Sequence, residues 1–196
     1  MAKLYFRYGV MGSSKSAQAL ITKFNYEEQG MRVWLMKPAA DTRYGADKVH
    51  SRIGLEQPAD VIDDDMDLYE VFRDREREFY DVIIVDEAQF LQPAHVEQLR
   101  EIVDYYNVPV FCFGLRTDFR TRLFPGSARL FELADSVTEL KTVCTCGGKA
   151  LVKARIDAEG RVVTEGEQFL LGGNESYRPM CYKCWKKAAL ESKSEK

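Results

Sequence analysis

Three shortages set the first limits on this 196-residue sequence. It has only two histidines, His50 and His95, and it has no apolar run of the roughly 18 residues that a membrane-spanning helix needs. It also has no excess of positive charge, because 28 Lys and Arg face 31 Asp and Glu. Nucleic-acid and membrane surfaces are usually bound by basic patches, so this balance argues against both partners. Charge interrupts the first residues too early for a secretory signal, and we therefore expect a cytoplasmic protein.

The composition is otherwise that of an ordinary globular protein, with 45% hydrophobic and 30% charged residues. The length suits one medium domain with a small appendage. The character of the chain changes near Lys141, where apolar segments give way to closely spaced cysteines. We predict a first domain at residues 1–140, a small second domain at 141–190 and a flexible charged tail at 191–196.

Residues 1–140 alternate between strand-like and helix-like segments. Leu4–Tyr8, Val82–Val85 and Val108–Phe113 are apolar runs typical of buried parallel strands, and apolar residues recur at helical spacing between them. This order predicts an α/β fold, in which helices cover both faces of a parallel sheet. Residues 41–58 show no periodicity, and we interpret them as a long loop that is either functional or a mobile connection.

A phosphate-binding loop is indicated directly after the first strand. The pattern is Gly-x-x-x-x-Gly-Lys-Ser, with Ser14 where the second glycine is expected. Backbone N–H groups of such a loop surround phosphates, while Lys15 would reach the β- and γ-phosphates and the Ser16 hydroxyl would hold Mg²⁺. The alternative is a plain turn before a helix. The candidate ATP-binding residues are Gly9, Val10, Met11, Gly12, Ser13, Ser14, Lys15 and Ser16.

An acidic pair follows the apolar run that ends at Val85. Asp86 would hold Mg²⁺ opposite Ser16, and Glu87 could take a proton from an attacking hydroxyl or water. A charged strand end is common in itself, but its occurrence in one chain with the phosphate loop strongly favours nucleotide binding. The segment adds Asp86, Glu87, Ala88 and Gln89 to the candidate ATP site.

Four of the five cysteines form two close pairs, Cys144 with Cys146 and Cys181 with Cys184, separated by 34 residues. Two such pairs can supply the four thiolates of a tetrahedral zinc site, and both histidines lie far upstream. We expect a closed, structural zinc site, with free thiols or a redox pair as the alternatives. The fifth, Cys112, lies in an apolar run and is expected to be a buried small hydrophobe.

Two further segments are candidates for contacting a planar base. Between the cysteine pairs, Gly172 and Gly173 allow close approach of the backbone to a ligand, and Tyr177 could form an aromatic wall. In Leu115–Arg122, Phe119 could stack on a base while the arginines touch phosphate. The alternatives are an ordinary zinc-ribbon loop, a core phenylalanine and solvated arginines.

Together these motifs resemble the type II thymidine kinases, the small zinc-containing class of bacteria and animals. Four features match in order between Leu4 and Cys184. They are the phosphate loop, the segment Asp41-Thr42-Arg43-Tyr44, the acidic strand end Asp86-Glu87-Ala88-Gln89-Phe90, and the cysteine quartet around Gly172-Gly173 and Tyr177.

The resemblance implies a RecA-like P-loop domain followed by a zinc ribbon with a lasso loop. It adds Asp41, Thr42 and Arg43 to the ATP site and makes Glu87 the base that deprotonates the thymidine 5′-hydroxyl. Zinc would be held by Cys144, Cys146, Cys181 and Cys184, and Mg²⁺ would accompany ATP at Ser16 and Asp86. The implied thymidine-binding residues are Phe90, Phe119, Gln168, Phe169, Leu170, Leu171, Gly172 and Tyr177.

The implied activity is transfer of the γ-phosphate of ATP to the 5′-hydroxyl of thymidine, and of deoxyuridine, in pyrimidine deoxynucleoside salvage. A homotetramer inhibited by thymidine triphosphate is also implied. One alternative is a nucleic-acid-dependent ATPase, since Val85–Gln89 resembles a helicase box, although the chain is short and lacks a basic track. The other is a zinc-ribbon interaction module with a vestigial ATP site.

Overall fold

The computed structural model describes residues 1–42, 45, 47–74, 80–168 and 176–194. Five predicted site residues, Arg43, Phe169, Leu170, Leu171 and Gly172, lie outside these described residues. No helix within the described ranges is both long enough and apolar enough to cross a membrane.

A six-stranded parallel sheet forms the centre of the N-terminal part of the chain, with the strand order β5-β2-β6-β7-β1-β8. Strands β6 and β7 are continuous apolar runs and are completely buried, as expected for strands that are covered on both faces. Cys112 is buried in β7, as predicted. The strands are β1 (Leu4–Tyr8), β2 (Val33–Pro38), β5 (Asp60–Ile62), β6 (Val82–Val85), β7 (Val110–Gly114) and β8 (Ser136–Glu139).

Helices cover both faces of this sheet, which confirms the predicted α/β class. Helix α1 (Lys15–Glu27) packs Ala19 and Leu20 on one face. The opposite face is covered by α2 (Leu68–Asp74), α3 (Pro93–Tyr106) and α4 (Pro125–Leu133). Proline stands at the start of α3 and α4, where the missing N–H has no intrahelical partner to lose.

The segment 41–58 differs from the predicted loop, because it contains a two-stranded hairpin. Strands β3 (Lys48–His50) and β4 (Glu56–Pro58) pair antiparallel. Val49 is buried on the α1 side of the central sheet, so one apolar side chain anchors the hairpin. Strands of three residues are too short to show periodicity, and Pro58 is unfavourable within a strand, so no strand pattern is visible in this part of the sequence.

The C-terminal part of the chain forms a three-stranded antiparallel sheet with the order β10-β9-β11 and one helix. A tight turn at 157–160 joins β9 (Val152–Ile156) to β10 (Val162–Val163). Strand β11 (Tyr177–Met180) and helix α5 (Tyr182–Ser194) complete the unit, and α5 continues into the segment predicted as a tail. In the part of this unit that the structure describes, the apolar core is small and is built around Ala154, Ile156, Val162 and Ala189.

Candidate active site

The carboxyl ends of the central strands border a cavity of about 300 Å³. In open α/β sheets, ligands bind at this edge because loops from several strands converge there. The lining comes from the phosphate loop and the start of α1, from the ends of β2, β6 and β7 and the residues that follow them, from the β3–β4 hairpin, and from one residue of β9. It consists of Met11, Gly12, Ser14, Lys15, Ser16, Ala17, Lys37, Asp41, Lys48, Val49, His50, Ser51, Arg52, Ile53, Asp86, Glu87, Leu115 and Lys153.

The phosphate loop joins β1 to α1 in the conformation expected of an anion site. Gly9 donates its N–H to the Gly114 carbonyl at 3.1 Å, and a β-carbon at Gly9 would lie 2.4 Å from the Leu140 carbonyl oxygen. Only glycine therefore fits there. Lys15 is buried and donates from Nζ to the Val10 carbonyl oxygen at 3.0 Å, so its ammonium lies over the loop.

Ser14 precedes α1 with φ 59° and ψ 29°, in the left-handed region that favours glycine. This is the position where the motif expects glycine, and the structure shows why: the backbone turns there so that the helix N-terminus faces the cavity. The Ser14 side chain makes no capping hydrogen bond. The loop thus keeps the glycine conformation with a β-carbon present, which stores backbone strain beside the phosphate site.

Asp86 lies at the carboxyl end of β6 and is buried against the phosphate loop. Its carboxylate accepts a hydrogen bond from Ser16, while its Oδ1 has no hydrogen-bond partner among the described residues. Burial and the neighbouring Glu87 raise the pKa of Asp86 to about 7. A buried, unsatisfied carboxylate oxygen is destabilising unless a cation binds it, so the Ser16–Asp86 pair fits a Mg²⁺ ion.

Glu87 lines the cavity next to Asp86 and also adopts a left-handed conformation, with φ 51°. Gln89 holds its carboxylate: Nε2 of Gln89 donates to Oε2 of Glu87 at 2.5 Å. The other end of Gln89 accepts a hydrogen bond from the Leu115 N–H at 2.8 Å. Gln89 is buried and does not line the cavity. It therefore connects the Glu87 carboxylate to the backbone at the end of β7 from outside the cavity.

Asp41 follows β2 at the same edge and forms a buried ion pair with Lys37, with 3.0 Å between Nζ and Oδ2. Lys37 also donates to the Gly45 carbonyl at 3.0 Å and to the Lys48 carbonyl at 3.3 Å. The β3–β4 hairpin is therefore tied to the sheet edge through one buried ammonium. Lys37 is not among the residues predicted from the sequence, because a lysine within a strand gives no signal of such a role.

An aromatic cluster joins the two parts of the chain. Met11 of the phosphate loop, Phe119 of the loop after β7 and Tyr177 of β11 are buried together. Arg155 of β9 spans this cluster: its guanidinium lies 3.7 Å from the centre of the Phe119 ring and donates to the Tyr177 hydroxyl at 3.0 and 3.2 Å. The phosphate loop and the cysteine-bearing unit therefore meet directly at the cavity.

The loop that carries Phe119 is fixed by Asp118. The Asp118 carboxylate accepts hydrogen bonds from the backbone N–H groups of Arg120 and Arg122 at 2.8 and 2.9 Å, and it pairs with the Arg120 guanidinium at 3.0 Å. Arg120 also donates to the Gly166 carbonyl at 3.3 Å. The loop therefore positions a buried aromatic ring, and Arg120 binds protein groups rather than standing free in solvent.

The four paired cysteines lie close together in the C-terminal unit. Their sulfur atoms all lie within 4.8 Å of one another, and those of Cys146 and Cys181 are 3.7 Å apart. Four thiolates around zinc at about 2.3 Å would stand about 3.8 Å apart, so the cluster fits a tetrahedral metal ion. Backbone N–H groups of Cys146 and Cys181 lower the pKa of the Cys144 thiol to about 6, which favours the ligating thiolate.

The structure places most of the predicted charged site residues at the cavity, whereas several other predicted site residues do not line it. Lys15, Ser16, Asp41, Asp86 and Glu87 line the cavity. Among the described residues, the following predicted site residues do not line it: Gly9, Val10, Ser13, Thr42, Ala88, Gln89, Phe90, Phe119, Gln168 and Tyr177. Phe90 packs edge-on against Phe124, with 5.7 Å between ring centres.

The cavity also contains residues that the sequence analysis did not select. The β3–β4 hairpin contributes His50, Ser51, Arg52 and Ile53, and β9 contributes Lys153. An alternation of charged and apolar residues along β9 was the available signal, but such alternation usually marks a strand with one solvent-exposed face. Here that face lies against the N-terminal part of the chain.

Comparisons with known proteins agree with this arrangement. The sequence profile of the thymidine kinase family matches residues 2–185. A thymidine kinase of Salmonella typhimurium is 46% identical over 192 residues, which are 97% of this chain and 94% of that protein. One of Enterobacteria phage T4 is 48% identical over 187 residues (94% and 96%), and one of Ruegeria pomeroyi is 47% identical over 189 residues (96% of each). A profile match over nearly the whole chain and relatives of this similarity show that the chain belongs to the thymidine kinase family.

Proposed function

We propose that this protein transfers the γ-phosphate of ATP to the 5′-hydroxyl of thymidine, giving ADP and thymidine monophosphate. The observation that carries the proposal is the shared cavity. A phosphate loop with its lysine, two adjacent carboxylates and a residue of the cysteine-bearing unit border the same space. The relatives' printed name, thymidine kinase, supports thymidine as the acceptor. Deoxyuridine, which carries the same hydroxyl, is a second expected acceptor.

In this proposal each group of residues has a separate role, which its position in the cavity determines. Backbone N–H groups of the phosphate loop and the Lys15 ammonium hold the β- and γ-phosphates. Ser16 and Asp86 would hold Mg²⁺, which supplies charge neutralisation when bound. Glu87 accepts the proton of the 5′-hydroxyl as the new P–O bond forms, and Gln89 keeps its second oxygen in place. Phosphoryl transfer depends mainly on positioning and electrostatics, which these groups provide.

The metal and assembly belong to the same proposal. Cys144, Cys146, Cys181 and Cys184 would hold a structural zinc ion that fixes the C-terminal unit over the cavity. Asp41, Thr42 and Arg43 are proposed to lie near the nucleotide. The thymine base is proposed to contact Phe119, Tyr177 and the segment 168–172. A cytoplasmic homotetramer inhibited by thymidine triphosphate follows from the resemblance to the family.

Labelled phosphate transfer tests the proposal. Purified protein is incubated with ATP labelled at the γ-position, Mg²⁺ and each of the four natural deoxynucleosides, and zinc is measured on the same sample. We expect label in thymidine monophosphate and one zinc ion per chain. ATP hydrolysis that DNA or RNA stimulates, with no labelled nucleotide formed, would favour the helicase-like alternative. The family match does not favour that alternative.

A further inference from the structure

Lys37 is a lysine buried inside the fold. It lies near the carboxyl end of β2, and its side chain is only 2% exposed. An ammonium group has three donors, and three acceptors lie within hydrogen-bond distance of this one: the Asp41 carboxylate and the Gly45 carbonyl, both at 3.0 Å, and the Lys48 carbonyl at 3.3 Å. Removing a charge from water is unfavourable unless such acceptors compensate for it. The buried charge is therefore matched by a set of directed contacts.

These contacts connect the central sheet to the β3–β4 hairpin. Asp41 and Gly45 precede the hairpin, and Lys48 is its first residue. The Lys48 side chain forms an ion pair with Glu56 of β4 at 3.0 Å, so the connection reaches both strands. Val49 also attaches the hairpin to the core, but apolar contact has no preferred direction. The hydrogen bonds of Lys37 add a defined orientation to that attachment.

The orientation of the hairpin affects the shape of the cavity. His50, Arg52 and Ile53 of the hairpin line the same space as Lys15 of the phosphate loop. Stability alone does not require a lysine at position 37, because apolar side chains of similar volume can often replace a buried ion pair without loss of stability. What the ammonium group adds is a fixed position for one wall of the cavity.

We propose that Lys37 is a positioning residue for ATP, whose buried ammonium group holds the β3–β4 hairpin in the orientation that binds the nucleotide. The inference deepens the proposed function and rests on it, since it requires ATP in this cavity. Lys37 borders the cavity, but its ammonium group is directed at Asp41 and two backbone carbonyls, so it acts through the hairpin. A hairpin that is correctly oriented for only part of the time weakens the apparent ATP affinity in proportion to that fraction.

The kinetics of two neutral variants and one charged variant test the role. Lys37→Met removes the charge and all three donors, and Lys37→Gln removes the charge but keeps an amide donor group. Loss of hydrogen bonds to a charged group predicts a rise of about 10- to 100-fold in the KM and Kd of ATP for Lys37→Met and a smaller rise for Lys37→Gln. The kcat at saturating ATP and the KM for thymidine should stay near wild type. Lys37→Arg, which keeps the charge, should remain closest to wild type.

Trypsin cleavage after Arg52 gives a readout that does not depend on phosphoryl transfer. Arg52 is exposed on the segment between β3 and β4. Cleavage there, identified by mass spectrometry, should be slowed by ATP in wild type. It should be faster in Lys37→Met, where protection should require a higher ATP concentration. A misfolded fraction would lower kcat without changing the KM for ATP, so misfolding and loss of positioning give different results.

Lys23→Met is the matched control. Lys23 also pairs with a carboxylate four residues later, that of Glu27, but it does so on the surface of α1 and does not line the cavity. This variant should keep the wild-type KM for ATP and the wild-type cleavage rate. If the neutral Lys37 variants that fold also keep both values, or lose kcat at an unchanged KM for ATP, Lys37 only supports the fold and the inference is wrong.

The same measurements separate this inference from the proposed function. If wild type binds ATP in calorimetry but phosphorylates no deoxynucleoside, the proposed function fails, and ATP affinity and cleavage after Arg52 still decide the role of Lys37. If wild type binds no ATP, both fail. Unchanged ATP affinity of the neutral variants in an active enzyme removes the inference alone.

Discussion

The two sides of the cavity are built in different ways. On one side, eight consecutive residues, 9–16, form the phosphate loop at the junction of β1 and α1, and the geometry is set by backbone conformation at Gly9 and Ser14. On the other, Lys153 lies on β9, which pairs with β11, a strand that lies farther along the chain, and its ammonium contacts the Tyr177 ring of β11. The first side depends on local folding, while the second depends on the cysteine cluster. Binding of ATP should therefore be separable from binding of the nucleoside.

Loss of the proposed zinc ion should have the largest effect and tests this separation most directly. Cys181→Ser removes one of the four thiolates, and the apolar core under α5, built in the described part of the chain around Ala154, Ile156, Val162 and Ala189, is too small to stand alone. We expect zinc content to fall and thymidine phosphorylation to drop below detection. ATP affinity, measured by calorimetry, should stay near the wild-type value.

Cys112→Ala is the control for this experiment. Cys112 is buried in the central sheet, far from the cysteine cluster in the fold, so the variant should keep its zinc and its activity while losing some stability. If Cys181→Ser loses ATP binding together with phosphorylation, the two sides of the cavity fold as one unit and the comparison fails.

The second prediction concerns the carboxylate that lies between the two sides. Glu87→Gln keeps the shape of the side chain but cannot take a proton, so kcat should fall roughly 10²- to 10⁴-fold, the usual contribution of a general base. ATP affinity should be retained. Steady-state kinetics and calorimetry check both parts, with Glu97→Gln, at an exposed ion pair on α3, as the control. Turnover near wild type would remove Glu87 from the mechanism.

Gln89 should show a smaller effect, because it acts through Glu87. Gln89→Leu removes the hydrogen bonds to Glu87 and to the Leu115 N–H. We expect kcat to fall about 10-fold, in line with the loss of a buried hydrogen bond to a charged group, with the KM for ATP unchanged. If Gln89→Leu lowers the free energy of unfolding but leaves kcat unchanged, Gln89 does not position Glu87.

Gln89→Glu tests the same positioning role through the pH dependence of kcat. The variant places a second carboxyl group within hydrogen-bond distance of Glu87, and two adjacent carboxylates raise the pKa at which the pair loses its last proton. Glu87 then stays protonated to higher pH and cannot act as a base. The acid limb of the kcat profile should therefore move to higher pH in Gln89→Glu and remain in place in Gln89→Leu.

The sequence predicted the phosphate-loop side of the cavity well and the side formed by the C-terminal unit poorly. The phosphate loop and the acidic end of β6 are short contiguous motifs, and the order of strands and helices places both at one sheet edge. Lys153, by contrast, lies in an alternating strand whose charged face looks solvent-exposed in the sequence. Lys37 and the β3–β4 hairpin were missed for a related reason. Their roles arise from contacts between segments, which no local pattern encodes.

The smallest predicted effect separates backbone from side chain within the phosphate loop. Ser14 holds a left-handed conformation that costs a residue with a β-carbon about 1–2 kcal/mol, and glycine removes that strain at an entropic cost of roughly 0.5–1 kcal/mol. Ser14→Gly should therefore stabilise the protein by about 0.5 kcal/mol and raise Tm by roughly 1–2 °C in thermal unfolding.

Ser14→Ala is the matched variant, because it keeps the β-carbon and removes a hydroxyl that makes no capping bond, so it should bring no gain in Tm. ATP affinity should be unchanged in both variants if backbone N–H groups alone bind the phosphates at this position. A loss of ATP affinity in both would instead give the Ser14 hydroxyl a direct role. The loop would then combine a strained backbone with a side-chain ligand. The phosphate-loop side of the cavity would in that case resemble the side formed by the C-terminal unit more closely than its contiguous sequence indicates.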